Sequence, residues 1–444
     1  MKEKTKSELL YLKDREYISG CLHAVQFPFA VRKARGCILE DPDGRKYIDF
    51  LSSASSLNLG SSNRGVLKAV RKQLKRTTQY SIVYSYNEPA AEYARALSEV
   101  YPGRIPVKVC YGNCGSEAND AAIKISRAYT GRKNIIAFRN GYYGSTYGAV
   151  SLTSWREDQF EAIGPKLPGT FTFPFYKVGT YGGEDPEKRK KQLEAELNAV
   201  CPLDTAAAVI IEPIQGDGGI VSADPIFLRH LYELCRGHGV LFISEEVQQG
   251  FFRTGPCFSI EHFGLVPDGI IIGKSAGGGL PLGAFIGRKE IMECLAPMAQ
   301  TFTLAGNHLS CTAGLAQLKQ MLSEGFQKQL RKNIRLAAAE LAALKEAHGE
   351  TVPSFRQFGL SIGIDVAARG GLTPNEFTRE LVYRCFRSGL IVASNMDGVL
   401  RIQPPLNIDA RSMKRGFEIL DQVLTKYERH PWERRELYDA DPLR

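Results

Sequence analysis

Short, unbroken apolar runs alternate with amphipathic stretches through the middle of the chain. VKVCYG (107–112), NIIAF (134–138), AAAVIIEPI (206–214), VLFISEEV (240–247) and GIIIGKS (269–275) are brief and rich in β-branched residues, which predicts strands buried on both faces. GAFIGR (283–288) predicts one more. Between them, SEANDAAIKISRAYTG (116–131) and DPIFLRHLYELCRGHG (224–239) place apolar residues at helical spacing, and the second ends on glycine, as helices often do. This rhythm implies an α/β fold with a mostly parallel sheet sandwiched by helices. The first 60 residues differ, because DPDG (41–44) separates two strand-like runs, as in a β-meander. Beyond about residue 305 comes long helical material, including NIRLAAAELAALKEAHG, then strand–helix alternation up to QVLTKY (422–427). The expected organisation is a large domain over 66–325 and a small α+β domain built from 1–65 and 326–444.

Composition narrows the class of protein. At 43% apolar and 24% charged residues, the chain has the balance of a soluble globular protein. No apolar run approaches the roughly 18–20 residues of a membrane span. The charged opening MKEKTKSELLYLKDREY has no signal core, so the expected location is cytoplasmic. The net charge of +9 is dispersed: Lys188 to Lys191 stand among Glu187, Glu194 and Glu196, the pattern of a solvated helix face. Without a basic stripe interleaved with aromatics, neither nucleic acid nor membrane is an expected partner. Ten cysteines without a CxxC pair, and seven histidines without an HExxH cluster, predict reduced thiols and no metal site.

Three features carry chemistry. VKVCYGNCGSEAND runs from strand through tight turn to helix, so Gly115 and Ser116 stand where unpaired N–H groups and a positive dipole end suit a phosphate; the plainer reading is a serine N-cap. Lys274 ends an apolar strand before Gly277, Gly278 and Gly279. Burying a charged amine is costly, so such a lysine tends to shed its proton, as addition to an aldehyde requires; the plainer reading is a snorkelling side chain. Glu245 ends another strand 29 residues earlier, where a carboxylate can keep a ring nitrogen protonated. A phosphate cradle, an anion and a lysine at strand ends are the three demands of pyridoxal 5'-phosphate (PLP), with Lys274 holding it as a Schiff base. Gln248 lies within reach of the cofactor's phenolic oxygen, and Tyr142 or Tyr143 of its ring face, unless these tyrosines simply pack.

The chain resembles the class III aminotransferase group of fold-type-I PLP enzymes over nearly its whole length. EDPDGRKYIDF, GNCGSEANDAAIKISRAYTGR, GYYGST, IEPIQGDGG, EEVQQGFFRTG, GKSAGGGLPLGA, FTLAGNH and LRIQPPL carry the likeness, in order. The resemblance implies that Gly115 and Ser116 bind phosphate, Tyr142 stacks, and Glu245 faces the pyridine nitrogen. It further implies that Glu212 and Gln248 belong to the cofactor site. Thr303 would reach the phosphate of a neighbouring subunit's cofactor in a homodimer or dimer of dimers. Arg401 would grip a substrate carboxylate by a bidentate contact. The family usually has Asp at 245, His at 143 and Pro at 308, where this chain has Glu245, Tyr143 and His308.

Within that family the chain is most similar to the amino-acid racemase and epimerase branch, typified by isoleucine 2-epimerase and aminocaprolactam racemase. LSSASSLNLG, SRAYTGR, YYGSTYGAVSLT, AIGPKLPG and IEPIQGDGGI point there. Asp217 is the residue on which the distinction turns. Transamination needs one base, Lys274, whereas inversion at Cα needs proton transfer on both faces, and Asp217 is the candidate second acid/base. As an alternative, Asp217 pairs with Arg401 or caps a loop. The expectation is a PLP-dependent racemase or epimerase acting on an amino acid. The alternatives are an omega-type aminotransferase, or a PLP-binding protein whose catalysis Glu245 weakens.

Overall fold

The structure, a computed structural model, describes residues 4–24, 28–156, 161–182, 185–368, 371–395 and 398–432. Internal contacts divide the chain into two units, one of Ala54–Asn58 with Arg64–Gln327 and one of Met1–Ser53, Leu59–Asn63 and Lys328–Arg444. Among the described residues no helix is long and apolar enough to cross a membrane.

In the second of these units a helix, Lys6–Tyr17, precedes an antiparallel meander: β1 (Lys33–Arg35), β2 (Ile38–Glu40) and β3 (Lys46–Asp49). Asp41 makes its turn. One carboxylate oxygen accepts from the N–H groups of Asp43 and Arg45, at 2.9 and 2.8 Å, and the other accepts from the Tyr47 hydroxyl.

The first unit holds the large sheet. Its strands are β4 (Val107–Gly112), β5 (Asn134–Phe138), β6 (Thr170–Phe173), β7 (Ala206–Ile211), β10 (Leu241–Glu245), β11 (Gly269–Ile272) and β12 (Gly283–Arg288), while β8 (Ile214–Gln215) and β9 (Val221–Ser222) form a separate small ribbon. The spatial order is β4-β12-β11-β10-β7-β5-β6. Every residue of β7, β10 and β11 is buried, as expected of strands covered on both faces. Only β12 runs antiparallel to its neighbours. Ten residues separate β11 from β12, too few for a covering helix, so the chain turns back at Gly278 and Gly279, whose φ of 60° and 96° suit glycine. Three apolar runs end earlier than their hydrophobicity suggests. AAAVIIEPI leaves the ladder after Ile211, before Pro213, VLFISEEV leaves it after Glu245, and GIIIGKS leaves it after Ile272, shortly before a 3-10 turn, Lys274–Gly277. The edge strand β6, a TFTF alternation, had no counterpart among the expected strands.

The remaining strands are β13 (Ser354–Phe358), β14 (Ser361–Asp365), β15 (Leu390–Ile391), β16 (Ala393–Asn395) and β17 (Val399–Ile402). β15 extends the meander parallel to β3, and the other four form an antiparallel sheet in the order β13-β14-β17-β16. The helix Ala410–Arg429 lies close enough to Phe50 that a Cβ on Gly416 would stand 2.2 Å from the ring, so only glycine fits there.

Candidate active site

In the large sheet the parallel strands deliver their last residues to one rim, and a cavity of about 450 Å3 opens there. Gly115, Ser116, Tyr142, Glu212, Asp217, Glu245, Gln248 and Lys274 all line it. Eight sequence-predicted site residues are thus gathered in one place.

The turn after β4 leads into the helix Gly115–Thr130, which ends on left-handed Gly131. Three close approaches shape this turn. A Cβ on Gly115 would meet Val247 Cγ1 at 2.8 Å, one on Gly273 would meet Gly115 Cα at 3.0 Å, and one on Gly283 would meet the Cys114 carbonyl oxygen at 2.0 Å. The backbone here is packed against the ends of β10, β11 and β12, so the first N–H groups of the helix are held in place. Ser116 Oγ accepts from the Ser145 N–H at 3.1 Å, which ties the turn to the loop after β5.

Register explains the acids. Ser244 of β10 pairs with Ile211 of β7, so the next residues, Glu245 and Glu212, stand side by side, on strands spaced about 4.8 Å apart. Both are buried. Burial first, and then its neighbour Glu212, pushes the Glu245 carboxyl well above the usual carboxylate range, with Lys274 pulling the other way. Burial also pushes Glu212 up to about 7, although two backbone amides oppose it. Those amides are the N–H groups of Tyr142 and Gly216, each 2.9 Å from a different oxygen of Glu212. Glu212 therefore fastens the loop after β5 to the loop after β7. By contrast, the hydrogen bond that Glu245 accepts, from Val247 N–H, is long at 3.3 Å. Glu246 points to the opposite face by strand alternation, where Ser244, Ser259 and Ile260 donate to it; burial raises it to about 7.

Lys274 follows β11 with φ at +45°, an unusual backbone state for a side chain other than glycine, costing about 1 kcal/mol or more. Asp217 follows β7 and the Pro213 break. Since β10 lies between β7 and β11, Lys274 and Asp217 enter the cavity from opposite sides of the strand that carries Glu245. Gln248 Nε2 donates to Asp217 Oδ2 at 3.2 Å, a contact that sequence reading missed because it had aimed Gln248 at the cofactor alone.

The two tyrosines separate. Both line the cavity, but Tyr143 is 2% exposed and its hydroxyl donates to the Ile210 carbonyl at 3.0 Å, which anchors it in the core and leaves Tyr142 the candidate for stacking. Tyr142 faces the cavity and its hydroxyl lies 3.0 Å from Ser145 Oγ. Thr303 is exposed, and its carbonyl accepts from Gln79 Nε2 at 3.2 Å. It is outside the cavity lining. Arg401 is buried on β17 of the other unit, between Gly363 of β14 and Ala393 of β16. His308, where the family has proline, lies with Nδ1 3.2 Å from Asn87 Nδ2. Ser56, Val247 and the stretch Leu280–Leu282 also line the cavity; they lie within the stretches that carry the family likeness, which assigned them no role.

This donor set fits PLP. Helix-start amides would suit a phosphate, a buried and poorly hydrogen-bonded carboxyl a ring nitrogen, and a lysine at a strand end an aldehyde. A sequence model of the family described as Aminotransferase class-III matches residues 22–424. The chain is 33% identical over 431 residues to isoleucine 2-epimerase of Lentilactobacillus buchneri, covering 95% of this chain and 96% of that protein. It is 36% identical over 411 residues to leucine/methionine racemase of Thermococcus litoralis, covering 90% and 91%. Among solved structures, taurine:2-oxoglutarate aminotransferase from Bifidobacterium kashiwanohense, in complex with PLP and glutamate, superposes with a TM-score of 0.85 at 27% identity, covering 97% of this chain and 100% of that one. Fold, rim chemistry and likeness along the whole length converge on one answer: the chain belongs to the class III aminotransferases, a fold-type-I family whose cofactor is pyridoxal 5'-phosphate.

Proposed function

We propose that this protein is a racemase or epimerase of a neutral α-amino acid, working with two proton-transfer groups. The observation that carries this reading is the placement of Lys274 and Asp217 in one cavity, on loops that flank the strand end of Glu245. When bound, PLP supplies an electron sink for the pair left at Cα as its proton departs. In this reading Lys274 Nζ removes or returns that proton on its side, and the Asp217 carboxylate does so on the other. Gly115 and Ser116 hold the phosphate, Tyr142 covers the ring, and Glu245 keeps the ring nitrogen protonated. Glu212, with both oxygens engaged by backbone amides, acts as a positioning residue. Arg401 is assigned the substrate carboxylate. The charged residues of the lining are Glu212, Asp217, Glu245 and Lys274, which offers an acidic substrate side chain little support, whereas Leu280, Pro281 and Leu282 suit an apolar one. The two racemising relatives, named for isoleucine and for leucine and methionine, support that class.

The proposed assembly is a homodimer in which Thr303 reaches the partner's cofactor phosphate. Exposed Tyr80, Tyr84, Tyr86 and Leu304 surround the segment that Gln79 fastens to Thr303 and Asn307, an apolar surface that a second copy would cover. Transamination is the second reading, favoured by the full-length likeness to a taurine:2-oxoglutarate aminotransferase. The deciding experiment incubates L-amino acids with the cofactor-loaded protein in deuterated water, with and without an oxo acid, followed by chiral analysis. Deuterated D-isomer formed without an oxo acid supports racemisation. Turnover that requires the oxo acid replaces it with transamination.

A further inference from the structure

Gln248 is 4% exposed, yet its amide lies against a loop rather than in the sheet. Nε2 donates to Asp217 Oδ2 at 3.2 Å, and the amide presses on the residue before it: a Cβ on Gly216 would stand 2.3 Å from Gln248 Oε1, 2.5 Å from Cδ and 2.8 Å from Nε2. The loop backbone is held by turn bonds from the Gly219 and Ile220 N–H groups to the Gly216 carbonyl, and by Gly216 N–H to Glu212. Those bonds act on the backbone, whereas the Gln248 amide acts on the Asp217 carboxylate itself.

We infer that Gln248 is a positioning residue that aims the Asp217 carboxylate into the cavity, so that inversion depends on it more than proton exchange at Lys274 does. This rests on the racemase reading above. The amide is fixed by burial, and it sits on the chain just past β10, the strand that ends in Glu245. One short side chain thus sets the carboxylate relative to the strand end on which the cofactor is read. Proton transfer is steep in distance and direction, and a displacement near 1 Å costs on the order of 100-fold in rate. Lys274 enters from β11, on the other side of β10, so its own transfer depends less on the Gln248 amide.

The test uses the full-length protein carrying Gln248→Leu, which keeps the volume and removes the donor, and Gln248→Asn, which retracts the amide by one methylene. Two quantities are read with each enantiomer in deuterated water: inversion, and wash-in of deuterium at Cα with retention. A third reading is backbone hydrogen exchange at Gly219 and Ile220, with and without cofactor. The expected result is a loss of inversion of about 100-fold beyond any loss of retained wash-in for one enantiomer, and faster exchange at the two amides. Equal losses of inversion and wash-in with unchanged amide exchange would show that Gln248 serves the cofactor alone and overturn the inference. Asp217→Asn is run alongside. If it leaves inversion intact, the racemase reading falls; if it abolishes inversion while Gln248→Leu does not, only the role of Gln248 falls.

Discussion

Gly283→Ala should cost the protein its cofactor affinity more than its fold. Gly283 begins β12 and pairs with Gly112 of β4, and an added methyl would stand 2.0 Å from the Cys114 carbonyl oxygen and 2.3 Å from its carbon. Ordinary contact begins near 3.4 Å, so something must retreat by more than about 1 Å. β12 is laddered to β11 on one side and β4 on the other and cannot yield. The turn at Cys114 is the softer side, and moving it drags the N–H groups of Gly115 and Ser116 that open the helix. Overpacking of this kind costs about 1–3 kcal/mol of stability. Two charge-assisted hydrogen bonds to phosphate, at about 1.5 kcal/mol each, add a loss near 3 kcal/mol in cofactor binding, on the order of 100-fold in Kd. Equilibrium dialysis of PLP against the apoprotein measures it. Gly287→Ala is the control on the same strand, since its methyl would meet the flexible end of Met292, Sδ at 2.7 Å. Equal affinities for Gly283→Ala and Gly287→Ala would refute a phosphate cradle pinned by β12.

Three further outcomes are expected. Lys274→Ala should give no covalent cofactor adduct after borohydride reduction, as read by peptide mass; an adduct on another lysine would move the assignment. Glu245→Gln should lose at least about tenfold in turnover while Glu245→Asp retains it, because the charge at the ring nitrogen matters more than the reach of the side chain, and equal rates for Gln and the parent would remove the acid from the site. Glu246 is neutral in the fold up to about pH 7 but ionises near 4.5 when unfolded, so the folded state holds the extra proton between these values and stability falls as pH rises through them. Glu246→Gln lacks that titration, and its unfolding free energy relative to the parent should therefore rise by about 3 kcal/mol from pH 4.5 to 7, measured by denaturant titration; a flat difference would refute the burial penalty.

Much of the sheet was legible because buried parallel strands must be apolar along their whole length. VKVCYG, NIIAF and GAFIGR coincide with β4, β5 and β12 residue for residue. The runs through Pro213 and Gly273 were read too long, since hydrophobicity continues past the point where the backbone leaves the ladder. β6 escaped notice because four residues of TFTF at an edge carry little periodicity. The rim residues could be placed from strand ends, which is why Gly115, Glu245 and Lys274 fell in one cavity. The Gln248–Asp217 hydrogen bond could not, because it joins residues 31 apart on two loops whose meeting depends on the order β10-β7 in the sheet. Pattern alone could not separate Tyr142 from Tyr143 for a similar reason: adjacent residues in a loop obey no alternation rule, so the choice of Tyr142 rested on the family likeness, and the Ile210 carbonyl holds Tyr143 in the core.

The same hydrogen-bond accounting chooses between the two acids at the rim. Glu212 and Glu245 are neighbours, both buried; burial raises both, and Glu212 raises Glu245 further. With Asp217 beside them, three acids face a single lysine, and a further cation would offset the imbalance. A ring nitrogen that accepts a proton supplies that cation, provided one of the acids is able to face it. Glu212 has spent both oxygens on the amides of Tyr142 and Gly216, and releasing either would free a loop that lines the cavity. Glu245 gives up at most one long bond from Val247. An extra methylene relative to aspartate is therefore no obstacle: the group that is longer is also the one with an oxygen to spare, and its cost is met by the cofactor rather than by the fold.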